Sequence, residues 1–180
     1  MRNIILTGFA GTGKTTIGQE VARRLGFPFV DMDWLIEERQ GRTIGEIFAT
    51  DGEPFFRQLE ADLCHEIGQW QGYVIATGGG TLVNPDNLAR LAPDNLVLCL
   101  DCDAEVLWQR LASASDRPLI GSADRDEKKA QLLRLLSQRQ SAYARIERHL
   151  DTTGWNMDAI VGEIVHIWNT GTGEQGYECH

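Results

Sequence analysis

The sequence predicts an α/β fold in which a parallel sheet carries helices on its faces. Three observations point there. Strand-like apolar runs alternate with helix-like periods along the chain, the pattern of repeated strand and helix units. A G-x-x-x-x-G-K-[ST] stretch, Gly8 to Thr15, stands directly after the first apolar run and directly before the first helical period. The chain has 180 residues, 42% hydrophobic and 24% charged, which suits one core and leaves no visible linker for a second domain of ordinary size.

Taken in order, "NIILT" is the first strand, and the helix entered at Lys14 runs to Gly26 with Ile17, Val21 and Leu25 every fourth residue. "PFVDMD" is a short second strand. One helix begins at Thr43, where Glu46 completes a capping box, and the next opens with Pro54 in its first turn. "YVIAT" is the third strand and runs into Gly78, Gly79 and Gly80. Asn84 and Pro85 start another helix, "NLVLCL" is the fourth strand, and Asp103 caps a helix through Leu111. Residues 112–124, "ASASDRPLIGSAD", have no apolar period and are expected to form a mobile loop over a site. A long helix from about Arg125 to Arg148, a fifth strand around "HLDTT" and a helix from Met157 to Trp168 close the fold. A single domain is expected over 1–170, followed by a glycine-rich, frayed tail at 171–180.

Charge and composition exclude several functions. A net charge of −9 makes the overall field unfavourable for DNA or RNA, though a local basic pocket could still hold a small anion. No apolar run approaches the roughly 20 residues that span a bilayer, and the first residues lack the plan of a secretion signal. No membrane partner, a cytoplasmic location and a monomer are the expectations. Cys99 and Cys102 form a lone C-x-x-C without a second Cys or His pair at zinc spacing, so packing is expected of them and not a metal or redox role.

The motif at Gly8 to Thr15 has the chemistry of a triphosphate cradle. Glycines let the backbone wrap close to phosphate oxygens, and the helix start presents unpaired N–H groups at a positive dipole end. Gly11, Thr12, Gly13, Lys14, Thr15 and Thr16 are therefore expected to hold nucleotide, with Lys14 on the β- and γ-phosphates and the Thr15 hydroxyl on Mg²⁺. A GTPase switch is disfavoured: no Asn precedes a Lys, and the D-x-x-G at Asp151 to Gly154 falls too late. A motor ATPase would add an acid pair to an apolar strand, and "LVLCLD" offers Asp101 without a neighbouring Glu. Asp101 is left between the metal shell and the following helix start.

The acceptor has to be read elsewhere. Asp31 and Asp33, two apart at the end of the second strand, are expected to project to one side, where Mg²⁺ and a substrate hydroxyl would offset their charges. A solvated turn, or an N-cap for a helix beginning near Trp34, would explain either one alone. Arg57 and Glu60 are spaced to pair on one helix face, by itself a surface feature. Arg139 interrupts the apolar stripe Leu132, Leu136, Tyr143, Ile146, where an internal or bound carboxylate should meet it, and the bound one is favoured. A small acid bearing hydroxyls fits this combination.

In order and at suitable separations, "GFAGTGKTT", "VDMD", "GRTIGEIFATDGEPFFRQLE", "VIATGGG", "RPLI" and "RQSAY" resemble the shikimate kinase family from about Arg2 to Ile167. The resemblance implies a P-loop NTPase fold of the nucleoside monophosphate kinase type, with five parallel strands in the order 2-3-1-4-5 and a lid at about 112–124. It implies transfer of the γ-phosphoryl of ATP to the 3-hydroxyl of shikimate, a step toward chorismate and aromatic amino acids. Within it, Asp33 binds ring hydroxyls and orients or deprotonates the nucleophile, and Asp31 reaches Mg²⁺ through water. Arg57 and Arg139 clamp the substrate carboxylate, and Glu60 holds Arg57. Gly78, Gly79 and Gly80 bring backbone against substrate, Arg117 closes over the phosphates, and Arg110 packs on adenine. The segment "DTTGWNMDAI" is least like the family, and no adenine contact is assigned there.

Two rivals remain at this level. A gluconate or nucleotide kinase of the same fold would share the P-loop and, for gluconate, a need for arginines. A regulator that kept the fold without the reaction would be expected to lose Lys14, Asp33 or Arg117, and all three are present.

Overall fold

Five strands, all parallel, form one sheet in the order β2-β3-β1-β4-β5. In chain order the elements are β1 (Ile4–Gly8), α1 (Lys14–Leu25), β2 (Phe29–Asp31), α2 (Met32–Gln40), α3 (Ile44–Thr50), α4 (Gly52–Ile67), β3 (Val74–Ala76), a 3-10 turn (Thr81–Val83), α5 (Pro85–Leu91), β4 (Leu96–Asp101), α6 (Ala104–Ser113), α7 (Arg125–Tyr143), β5 (Arg148–Asp151) and α8 (Met157–Gly171). The computed structural model describes residues 2–113, 125–154 and 156–171. Most of the expected lid, with Arg117, and the tail from 172 onward lie outside the described residues. Among the described residues no helix is long and apolar enough to cross a membrane.

Strand alternation divides the core in two. Ile5, Ile75, Val97 and Cys99 face the side covered by α2 to α7, while Ile4, Leu6, Val74, Leu98 and Leu100 face α1 and α8. Ile4, Ile5 and Leu6 are completely buried, each worth about 2 kcal/mol of apolar burial, so the strand that feeds the glycine loop is anchored from both faces. The register sets Ile5 beside Ile75 on one flank and Val97 on the other. The connection after β1 leaves toward the α1 side, and those after β3 and β4 leave toward the opposite side. That divergence opens a crevice at the carboxyl ends of the central strands, where ligands of such sheets bind.

Local chemistry explains the element ends. The predicted capping box is present at α3, with the Thr43 hydroxyl accepting from the Glu46 N–H and the Glu46 carboxylate accepting from the Thr43 N–H at 2.7 Å. Asn84 caps α5 ahead of Pro85, and Gly26 closes α1 in a left-handed conformation.

Three expectations about elements are corrected. The second strand stops at Asp31, because the Asp31 carboxylate accepts the N–H groups of Asp33 and Trp34 and so starts α2, which makes Asp31 the N-cap that was one of its open readings. Asp33 therefore sits in a helical first turn, not beside Asp31 on a strand. The long helix α7 ends at Tyr143, five residues before Arg148. Residues 144–147 form a turn, closed by Arg145 N–H and Ile146 N–H on the carbonyls of Ala142 and Tyr143, since the chain must be extended again to pair β5 with β4.

Candidate active site

The glycine loop after β1 has the backbone its sequence demands. Gly8, Gly11 and Gly13 all carry positive φ (131°, 85° and 92°), and a Cβ on Gly8 would collide with the Leu100 carbonyl of β4. Gly13 stands directly before α1, so the loop's N–H groups and the helix start converge on one concavity. Lys14 lies back across the loop, its Nζ donating to the carbonyls of Gly8 (2.9 Å) and Phe9 (2.8 Å). Thr12 is buried and its hydroxyl ties the loop to the Phe9 carbonyl at 2.9 Å.

Beside this cradle, the Thr15 hydroxyl donates to Asp31 Oδ2 at 2.7 Å. Two hard oxygen donors thus meet at the head of α1, a donor set suited to Mg²⁺. Asp31 is buried, and its other oxygen is the cap of α2, so the N-cap reading of this residue holds.

Gly78, Gly79 and Gly80 follow β3 and touch both halves of the site. A Cβ on Gly78 would stand 2.8 Å from Asp33 Oδ1 and 2.8 Å from Glu60 Oε1. On Gly79 it would stand 3.3 Å from Arg139 Nη1 and 3.5 Å from both the Ala10 nitrogen and the Gly8 carbonyl of the phosphate loop. On Gly80 it would stand 2.5 Å from Arg57 Nη1. Asp33, Arg57 and Arg139, which come from three different helices, are therefore packed around one bare backbone that also abuts the loop bearing Lys14.

The arginines are held from behind. Arg57 Nη1 donates to Glu60 Oε2 at 2.7 Å, and its Nε and Nη2 reach Glu53 Oε1. Burial opposes the charge on Arg57, but the bonds to Glu60 and then Glu53 more than offset it, so its pKa is raised. Glu60 is only 1% exposed, which corrects the surface pairing that its spacing alone suggests. Its second oxygen accepts from the buried Thr81 hydroxyl at 2.5 Å, and Asn87 Nδ2 fixes the Thr81 carbonyl at 2.9 Å. Arg139 lies over the Phe9 ring, 5.5 Å from its centroid, which supports the guanidinium where the helix stripe is otherwise apolar. One turn later Tyr143 donates its hydroxyl to the Gly79 carbonyl. Burial first pushes this phenol up to about 12, keeping it a donor.

A second cleft opens on the other side of the loop, lined by Gly11, Thr12, Thr16, Arg110, Thr152, Met157 and Ile160. Arg110 spans it, donating to the carbonyls of Gly11 at 3.3 Å and Thr152 at 3.2 Å. Thr152, Met157 and Ile160 carry no motif that could have named them; Thr152 arrives at the end of β5, tied to the Asp101 carbonyl, and Met157 and Ile160 arrive because α8 packs on α1. Of the two roles open for Asp101, the helix start falls to Asp103, which accepts from the Glu105 N–H, and Asp101 faces His149. Cys99 is fully buried in β4 and Cys102 lies past its end; burial, then the neighbouring Asp101, pushes the Cys99 thiol up, away from redox reactivity.

A family model described as shikimate kinase matches residues 10–168. A shikimate kinase of Geobacter sulfurreducens is 43% identical over 163 residues, covering 91% of this chain and 88% of that protein. Among solved structures, the shikimate kinase of Bacteroides thetaiotaomicron matches with a TM-score of 0.86 at 33% identity, covering 93% of this chain and 98% of that one. The shikimate kinase of Acinetobacter baumannii in complex with shikimate matches with a TM-score of 0.82 at 29% identity, covering 97% and 96%.

Proposed function

The chain belongs to the shikimate kinase family, whose members are phosphotransferases, and we propose that it transfers the γ-phosphoryl group of ATP to the 3-hydroxyl of shikimate, with Asp33 at the nucleophile and Arg57 and Arg139 on the substrate carboxylate. The observation that carries this reading is the triple glycine. Gly78 to Gly80 bring Asp33, both arginines and the phosphate loop within side-chain contact of one stretch of backbone. An acid with several hydroxyls can there present its carboxylate to the guanidinium pair and one alcohol to the end of a triphosphate.

The reaction needs alignment and charge neutralisation more than covalent help. The 3-hydroxyl oxygen forms a bond to the γ-phosphorus as the bond from that phosphorus to the β–γ bridging oxygen breaks, and ADP carries the released electron pair. Asp33, half-buried beside Gly78, accepts the hydroxyl proton. Lys14, already against the loop carbonyls, turns onto the β- and γ-phosphates. Thr15 and Asp31 would hold Mg²⁺, which when bound neutralises charge on those phosphates. Gly11 to Thr16 cradle the phosphate chain, and Arg110 covers the base in the cleft beside Thr152. Residues 1–170 act as one catalytic domain in this reading, with 112–124 as its lid and Arg117 closing over the phosphates.

The regiochemistry is tested by the product. Incubation with Mg·ATP and shikimate, followed by NMR, should show phosphorus coupled to the proton on carbon 3. Coupling to the proton of a different carbinol carbon would overturn the assignment of the acceptor hydroxyl.

A further inference from the structure

Three side chains that the phosphoryl transfer does not use meet on one face of β4 and β5. Cys99 and Asp101 are two apart on β4, so the pleat sends both to the same side, and the parallel register sets His149 of β5 directly beside Cys99. The Cys99 sulfur, an Asp101 oxygen and a His149 nitrogen all lie within 4.8 Å of one another. Cys99 Sγ stands 3.5 Å from Asp101 Oδ1, and His149 Nδ1 stands 2.7 Å from Asp101 Oδ2.

The orientation of the imidazole is a second, independent observation. His149 Nε2 lies 3.0 Å from the Ile146 carbonyl. A carbonyl only accepts, so this contact holds the proton on Nε2 and turns the lone pair of the neutral ring, on Nδ1, toward Asp101. Histidines that ligate metals are fixed in this way, with the far nitrogen donating to a backbone carbonyl or carboxylate. Nδ1 and Asp101 Oδ2 are then two acceptors facing each other, an arrangement that calls for a proton or a cation between them.

We propose that Cys99, Asp101 and His149 form a binding site for a thiophilic divalent cation of the zinc class, ligated by Sγ, one carboxylate oxygen and Nδ1, with water completing a tetrahedron. Bonds of about 2.3 Å to sulfur and about 2.0 Å to nitrogen and oxygen put the ligand atoms about 3.3–3.6 Å apart. The observed separations reach that range by small side-chain rotations. The mixed sulfur, nitrogen and oxygen set distinguishes the site from the all-oxygen pair Thr15 and Asp31, which suits Mg²⁺. Access is one-sided: Cys99 is the buried floor, while Asp101 and His149 are partly open to solvent. Binding displaces the thiol proton, and any proton on Nδ1, to solvent.

The test uses the full chain, stripped with a chelator and free of nucleotide. Isothermal titration with Zn²⁺ should show one ion bound per chain. Co²⁺ should give the thiolate-to-cobalt charge-transfer band and the intense visible bands of tetrahedral coordination. His149→Gln and Asp101→Asn, both at partly exposed positions, should each weaken Zn²⁺ binding by about tenfold or more. Cys99→Ala should abolish the charge-transfer band, with circular dichroism reporting its fold. If Cys99→Ala does not fold, the His149→Gln spectrum decides. A wild-type Co²⁺ spectrum without the charge-transfer band, or Zn²⁺ affinity unchanged in His149→Gln, would overturn the site.

Discussion

Gly80→Ala separates the substrate clamp from the fold more cleanly than removal of the arginine itself. Gly80 has φ −104° and ψ −12°, a conformation alanine adopts without strain. The added Cβ would stand 2.5 Å from Arg57 Nη1 and 2.9 Å from its Cζ and Nη2, against an ordinary contact of about 3.5 Å, so the guanidinium must retreat by about 1 Å. A bond of 2.7 Å to Glu60 stretched by that much is no longer a hydrogen bond. A guanidinium set back by that much also loses a charge-assisted bond to the substrate carboxylate, worth about 1.5–3 kcal/mol, which predicts a rise in the shikimate KM of about 10- to 150-fold. The atoms that give way are the end of a flexible side chain, so the fold is kept, but the bond is lost from the buried Glu60 and the melting temperature should fall by about 3–10 °C. Steady-state kinetics with each substrate varied in turn, beside a thermal melt, provide the assay. A shikimate KM equal to wild type in a folded variant, or an ATP KM that rises in parallel, would refute the placement of Arg57 on the acceptor side.

Arg139→Ala should weaken shikimate binding by about 10²-fold while leaving ATP binding intact, measured by titration of each ligand separately, because its guanidinium stands beside Gly79 and not in the nucleotide cleft. Asp33→Asn should lower kcat by about 10²–10⁴-fold with a smaller change in shikimate KM, as expected for loss of a positioned base. Thr81→Val removes the donor on the inner oxygen of Glu60 and should raise the shikimate KM by about tenfold, and Thr81→Ser should restore it; failure of serine to rescue would mean the threonine acts through packing.

The parts legible in the sequence are those whose cause is local. The glycine loop, the capping box at Thr43 and the alternation of strands with helices depend on neighbours within a few residues, and the structure shows each. Arg139 was visible because a guanidinium breaks an apolar stripe. The start of α2 was obscured because Asp31 ends a strand, caps a helix and meets Thr15 at once. Glu60 read as a surface acid since an i,i+3 spacing does not reveal that Thr81 and Asn87 close over it from a later segment. The cleft between Arg110, Thr152 and Met157 depends on how α6, the end of β5 and α8 meet beside the loop, and the Cys99, Asp101 and His149 cluster on the register of β4 with β5. Neither relation leaves a periodic trace along the chain.

The central claim is that one run of bare backbone joins a triphosphate cradle to a clamp for a hydroxylated acid. Its most direct measurement is the rate of ADP release from Mg·ATP by the wild-type chain with shikimate, with gluconate, and with no acceptor. Rapid release with shikimate alone is the predicted result. Release at the same rate without any acceptor, or with gluconate alone, would contradict the account.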